Sequence, residues 1–476
     1  MATFAPNPEA VARVPRAIAY RYDALPLDLD DGVLTIALAA PSDAAILDAL
    51  RTATRLRLRP LTMARDAIRE NLRVAYGEPP ASLAAARDRD GEAPAVRAVE
   101  RVLARAIAAH ASDVHIEPAA AGGRVRLRVD GILRELETIA NDLFPAFTSR
   151  LKLLAGMDIA DRRQPQDGRC GIPFEQRHID ARVASVPTID GEKIVVRLLD
   201  RYAATPDLAA LGMPAEMLAR YRSAVHAPWG FVLATGPTGS GKTTTLYASL
   251  AELDARSRNV CSVEDPIEMR LAGVSQVQVN LRAGLTFPLV VRAFMRQDPD
   301  VVMVGEMRDA ETAAVAVSAA LAGQVVLTTL HANDAPRTID RLVELGVARH
   351  SLAAALTAVV AQRLVRTLCE QCRVREPIPA QVGESLRAAH DAWYVAGGCR
   401  ACAGTGYMGR TGVYELLDVD DAMRDAIATG ASSVHVAQLA ARNGYRPMRD
   451  DAAAKVLAGT TSFEELTRVV AWSAAR

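Results

Sequence analysis

GPTGSGKT, residues 236–243, matches the pattern G-x-x-x-x-G-K-[ST] at every position. Each fixed position has a mechanical reason: glycines let backbone N–H groups face phosphate oxygens, the lysine brings a point charge to the β and γ oxygens, and the last hydroxyl reaches Mg²⁺. Lys242 and Thr243 hold those last two roles, while Gly236, Pro237, Thr238, Gly239, Ser240, Gly241 and Thr244 form the cradle. FVLAT before the loop reads as a buried strand and TTTLYASLAEL after it as a helix. Strand, glycine-rich loop and helix in that order predict an α/β nucleotide-binding fold.

Downstream, the β-rich runs NVCSVEDP, DVVMVGE and QVVLTTLH alternate with helical stretches. That alternation predicts a mainly parallel sheet covered by helices, with ligands at the C-terminal ends of its strands. Each run ends in a polar group: Glu264 and Asp265, then Glu306, then His331. One acidic residue after a strand is ordinarily a solvated loop residue, and one histidine is ordinarily structural. Behind a complete phosphate loop, however, all of them converge on the same sheet edge. The Asp usual at the end of the second run is absent, and Gly305 stands before Glu306. The uncharged stretch 312–333 is long enough for a bilayer, which needs about 20 residues. Ser318, Gln324, Thr328 and Thr329 interrupt it, and Gly323 divides it into a helix and a buried strand.

Upstream, LPLDLDDGVLTIALAAP predicts strands with a DG turn, followed by a helix capped by Ser42 or Asp43 and the half-exposed strand RLRLRPLTM. The stretch GEPPASLAAARDRDGEAP is a linker by composition. The chain therefore divides into a small α/β unit at 1–76, a linker at 77–94, an α+β unit at 95–205 and the nucleotide-binding unit at 206–476. In the α+β unit, helices are expected at AVRAVERVLARAIAAH and LFPAFTSRLKLLAG, and strands at VHIEP, RVRLRVDGIL, HIDARVASVP and KIVVRLLD.

Basic and acidic side chains balance at 56 each, which gives no global case for nucleic acid or a charged membrane surface. The first residues lack a secretory h-region, so a cytoplasmic location is expected. CEQC (369–372) and CRAC (399–402) are C-x-x-C pairs separated by 26 residues, 373–398. Cys369, Cys372, Cys399 and Cys402 suit a closed, structural Cys₄ zinc site; a redox pair would need a neighbouring βαβ pattern. Cys170 and Cys261 are isolated and read as packing residues.

Taken together, GPTGSGKTTTLYA, SVEDPIE, QVQVNLRAGLTF, RQDPDVVMVGEMRDAETA, LTTLHAND and AQRLVRTLC resemble the secretion ATPases of type II secretion and type IV pilus assembly. The resemblance implies a RecA-like P-loop motor with a zinc insert at about 366–410, preceded by a PAS-like domain and a small N-terminal domain that docks on an inner-membrane partner. It implies ATP and Mg²⁺, with Thr243 on the metal, Glu306 as catalytic carboxylate after the family's Gly, Glu264 helping to hold metal or water, and His331 sensing the γ-phosphate. RRQPQDGR and DARVASVPT also fit, and suggest that Arg169 and Arg182 face nucleotide, with Arg197 and Arg163 behind them. It further implies a homo-oligomeric, hexameric ring attached peripherally to the inner membrane, without nucleic acid as a partner. The absence of a repeated RLG-type cyclic-dinucleotide motif favours type II secretion over a pilus extension motor. The other readings are a scaffold that binds ATP without turnover and a nucleic-acid translocase.

Overall fold

The structure, a computed structural model, describes residues 6–39, 41, 44–77, 94–120, 122–175, 177–199, 207–386 and 392–470. The predicted Ser42 or Asp43 cap and nearly all of the predicted linker lie outside the described residues.

In the first unit β1 (Leu25–Asp30) and β2 (Val33–Leu38) form an antiparallel hairpin, and β3 (Arg57–Thr62) joins β2 in parallel. Asp31 and Gly32 turn the hairpin with φ of 46° and 74°, the left-handed pair that a tight two-residue hairpin requires. Helix Ala44–Thr54 makes the crossover to β3, whose Arg57 and Arg59 point outward while Leu58 is half-buried.

The second unit places β4 (Asp113–Ala119), β5 (Gly122–Val129), β6 (Ile132–Ile139), β7 (Gln166–Phe174), β8 (Arg177–Thr188) and β9 (Gly191–Leu199) in one antiparallel sheet, ordered β6-β5-β4-β9-β8-β7. Strand alternation sends Val114, Ile116, Val183, Ile194 and Val196 to the face packed by helices Pro94–Ala108 and Phe144–Leu154. The opposite face is charged: Glu117 pairs with Arg124, Arg126 and Lys193, and Asp113 with Arg197. The run RVRLRVDGIL is not one strand. Asp130 and Gly131, at φ 51° and 83°, break it into β5 and β6.

The third unit contains β10 (Gly230–Thr235), β11 (Val260–Glu264), β12 (Val274–Gln278), β13 (Val301–Val304), β14 (Val325–Leu330), β15 (Leu356–Leu368), the small hairpin β16 (Val374–Pro377) and β17 (Ala392–Val395), and β18 (Tyr407–Asp418). Its sheet runs β12-β11-β13-β14-β10-β15-β18, parallel throughout except for β18, which pairs antiparallel with β15. Every residue of β10, β11, β13 and β14 is buried, as expected for parallel strands covered on both faces. The uncharged 312–333 stretch is helix Ala310–Leu321 followed by β14. Among the described residues, no helix is long and apolar enough to cross a membrane.

Candidate active site and metal centre

The loop between β10 and helix Lys242–Glu252 folds because its glycines take conformations that other residues resist: Gly236, Gly239 and Gly241 have φ of 145°, 77° and 87°. Lys242 opens the helix and is 8% exposed. Its Nζ donates to the carbonyls of Gly236 (2.8 Å) and Pro237 (3.0 Å). Burial pushes its pKa down to about 8, with the Glu306 carboxylate pulling the other way. Thr243 is half-buried and lines the same cleft, about 450 Å³ in volume.

Glu306 and His331 reach that cleft from the ends of β13 and β14. Because β14 lies between β13 and β10, the strands that lead to Glu306 and to the phosphate loop are two spacings apart, roughly 10 Å, with the strand that leads to His331 between them. Gly305 lies close to β11: its N–H donates to the Val263 carbonyl at 2.8 Å, and a Cβ would stand 3.3 Å from that oxygen. The His331 loop is tied to the phosphate-loop strand by Thr235, whose hydroxyl donates to the Leu330 carbonyl (3.1 Å) and accepts from the Ala332 N–H (3.0 Å). Partial burial, then the Lys242 charge, lower the His331 pKa, which keeps the ring neutral near pH 7.

Glu264 has a different setting. Its carboxylate is 2% exposed and accepts from Ser262 Oγ (2.6 Å), Gln276 Nε2 (3.2 Å) and the Tyr247 hydroxyl. Burial raises its pKa. The Tyr247 oxygen in turn accepts the Glu268 N–H at 3.0 Å, so Glu264 anchors the acidic loop to the phosphate-loop helix. Glu264 also lines the cleft beside Thr243 and Glu306, where it was expected to help hold metal or water.

Sequence reasoning missed two cations in this cleft. Arg308 pairs with Glu306 and lies 3.9 Å from Asp265, and Arg410 approaches from the start of β18. Arg308 falls in a stretch already quoted, EMRD, and Arg410 in MGRTG of β18, but an arginine at such a place carries no positional signal of its own. Of the expected arginines, Arg169, Arg182 and Arg197 stand abreast across β7, β8 and β9 and line a second cleft of about 430 Å³. Burial lowers the Arg182 pKa, with Arg169 adding to the effect and Asp265 and Glu268 opposing it. Arg163 is exposed. For Mg²⁺ the donors suit in kind, since the Thr243 hydroxyl and the carboxylates of Asp265 and Glu306 line one cleft and are hard oxygen ligands.

Residues 88–468 match the family model described as Type II/IV secretion system protein. The chain belongs to this family. Residues 2–82 match a second model, the MshEN domain. The type II secretion system protein HxcR of Pseudomonas aeruginosa is 46% identical over 80% of this chain and 78% of its own. The type IV pilus assembly ATPase PilB of Myxococcus xanthus is 38% identical over 97% of this chain and 86% of its own. The fold is also that of the ATPase DotB of Legionella pneumophila, with a TM-score of 0.58 and 22% identity over 78% of this chain and 95% of that one. The protein is thus a secretion ATPase, a P-loop hydrolase of ATP.

This secretion ATPase also carries a candidate metal centre. Its four paired cysteines converge, with Sγ separations of 3.9 Å for Cys369–Cys399, 3.7 Å for Cys372–Cys402 and 3.8 Å for Cys399–Cys402. A tetrahedral zinc with bonds of about 2.3 Å sets its ligands about 3.8 Å apart, so the arrangement fits one such ion. Backbone N–H groups of Cys399 (3.3 Å) and Gly406 (3.1 Å) donate to Cys402 Sγ, and those bonds pull its pKa down to about 6. Cys170 is half-buried and Cys261 buried, apart from this cluster.

Proposed function

We propose that this secretion ATPase drives pseudopilus assembly in type II protein secretion, working as a hexameric ring on the cytoplasmic face of the inner membrane. The observation that carries the catalytic part is the convergence of Lys242, Glu306 and His331 on one cleft at the C-terminal ends of β10, β13 and β14. Lys242 and the loop N–H groups hold the phosphates, and Thr243 supplies a hydroxyl to Mg²⁺, which neutralises charge on the β and γ oxygens when bound. Glu306 orients the attacking water and accepts its proton. Arg308 pairs with Glu306 and is the cation placed to exchange that partner for the γ-phosphate. His331, neutral and tied to the β10 end through Thr235, reports the γ-phosphate to the rest of the sheet. Glu264 acts at one remove, by fixing the acidic loop that carries Asp265.

In this reading Arg169 and Arg182 complete a nucleotide site in the assembled ring, the second unit is PAS-like, the four cysteines hold structural zinc, and the N-terminal unit docks on an inner-membrane partner. Glu306→Gln tests the centre: nucleotide binding is retained and phosphate release falls by roughly 10²-fold or more. Full turnover in that variant would remove Glu306 from its role. A second reading, a type IV pilus extension ATPase, is favoured by one observation: the PilB alignment covers 97% of this chain whereas that with HxcR covers 80%. Deletion of the gene separates them, since loss of protein secretion supports the first and loss of piliation the second.

A further inference from the structure

The stretch AQRLVRTLC lies on β15 directly beside β10, with Ala361 in register with Thr235, and has no part yet in the reaction. Gln362 in this stretch is 1% exposed. Its carboxamide is bonded at both ends: Nε2 donates to the Ser240 carbonyl at 2.8 Å, and Oε1 accepts from the Thr245 hydroxyl at 2.9 Å. Ser240 belongs to the phosphate loop and Thr245 to the first turn of the helix that the loop opens. The main chain of Gln362 also bounds the loop, because a Cβ on Gly236 would stand 2.4 Å from its carbonyl oxygen.

A trans peptide is planar, with its C=O and N–H on opposite sides. Fixing the Ser240 carbonyl on Gln362 therefore turns the following N–H, that of Gly241, away from β15. The Thr245 bond keeps the carboxamide from rotating, so the donor end stays on the loop. We infer that Gln362 is a positioning residue for the phosphate loop: it sets the Ser240–Gly241 peptide plane so that the loop's N–H groups converge on nucleotide phosphate. The inference rests on ATP binding at this loop.

The test is equilibrium binding of Mg²⁺-ADP to the full chain and to Gln362→Met, Thr245→Val and the double variant, with the unfolding midpoint of each recorded without nucleotide. Gln362→Met weakens binding about tenfold, the loss expected when a buried carbonyl loses its donor. Thr245→Val weakens it in the same direction, and the double variant is no weaker than the worse single, because both cut one link. Wild-type affinity in either folded single variant, or losses that multiply in the double, overturns the inference. If Gln362→Met does not fold, Thr245→Val decides alone. A wild-type chain that binds no Mg²⁺-ADP overturns the nucleotide reading itself, for which Lys242→Ala, expected to abolish binding, is the separate control.

Discussion

Lys242 illustrates how a single residue makes binding depend on pH. Its folded pKa of about 8 lies below the ordinary 10.5, so the folded loop releases its proton before the unfolded chain does. From about pH 8 upward the unfolded state holds more protons, and the nucleotide-free protein gains stability from this group as pH rises. Binding follows the opposite course, since phosphate requires the ammonium form. Mg²⁺-ADP binding therefore takes up a proton above about pH 8, and affinity falls by up to about tenfold per pH unit there. Calorimetry in buffers of different ionisation enthalpy measures that uptake. Tyr247→Phe removes a donor from buried Glu264, for a loss of about 1–3 kcal/mol read by denaturant unfolding. Lys242, Glu306 and His331 were legible in the sequence because each ends or follows a strand whose direction the pattern gives. The donors around Glu264 were not, since Tyr247 and Gln276 meet it only once helix and strand are packed.

Among the elements, the parallel strands β10, β11, β13 and β14 were legible because strands buried on both faces must be apolar throughout. β7 was not: Gly168, Gly171 and Pro173 break its pattern, and a Cβ on Gly168 would stand 2.2 Å from the Ala155 carbonyl at the end of a neighbouring helix. β15 was equally opaque, because its apolar run continues directly from helix Arg349–Ala355 without a break in hydrophobicity. The cysteine excursion is an element-scale prediction. Cys372→Ser lowers bound zinc from about one per chain toward none, as elemental analysis would measure. The β15 end should remain folded in that variant, because Glu465, wholly buried, separately accepts the Arg366 N–H at 3.0 Å and its Nη2 at 2.8 Å. Hydrogen exchange confined to the excursion is the expected result, and exchange spreading through β15 would contradict it.

At the scale of the whole molecule, equal totals of acid and base conceal strong local segregation. Period-two alternation collects the charges of the second unit on one sheet face, and strand register brings Arg169, Arg182 and Arg197 into a row. No composition figure could show this, because register depends on hairpins the sequence only partly marks. Arg182→Ala is expected to reduce phosphate release by assembled rings about tenfold or more, with a smaller effect on nucleotide binding by isolated chains. Steady-state kinetics against protein concentration, beside equilibrium binding, would check that split. The cysteine excursion, finally, leaves the sheet after Leu368 of β15 and returns at Tyr407 of β18, which are themselves a paired position. Its two ends are thus clasped twice, by the strand ladder and by the four thiols, and its length enters neither clasp. A peptide tag or fluorescent reporter inserted between β16 and β17 would therefore travel with the motor and leave the pairing of β15 with β18 unchanged, at the expense of the packing that Leu386 and Trp393 make on the motor core.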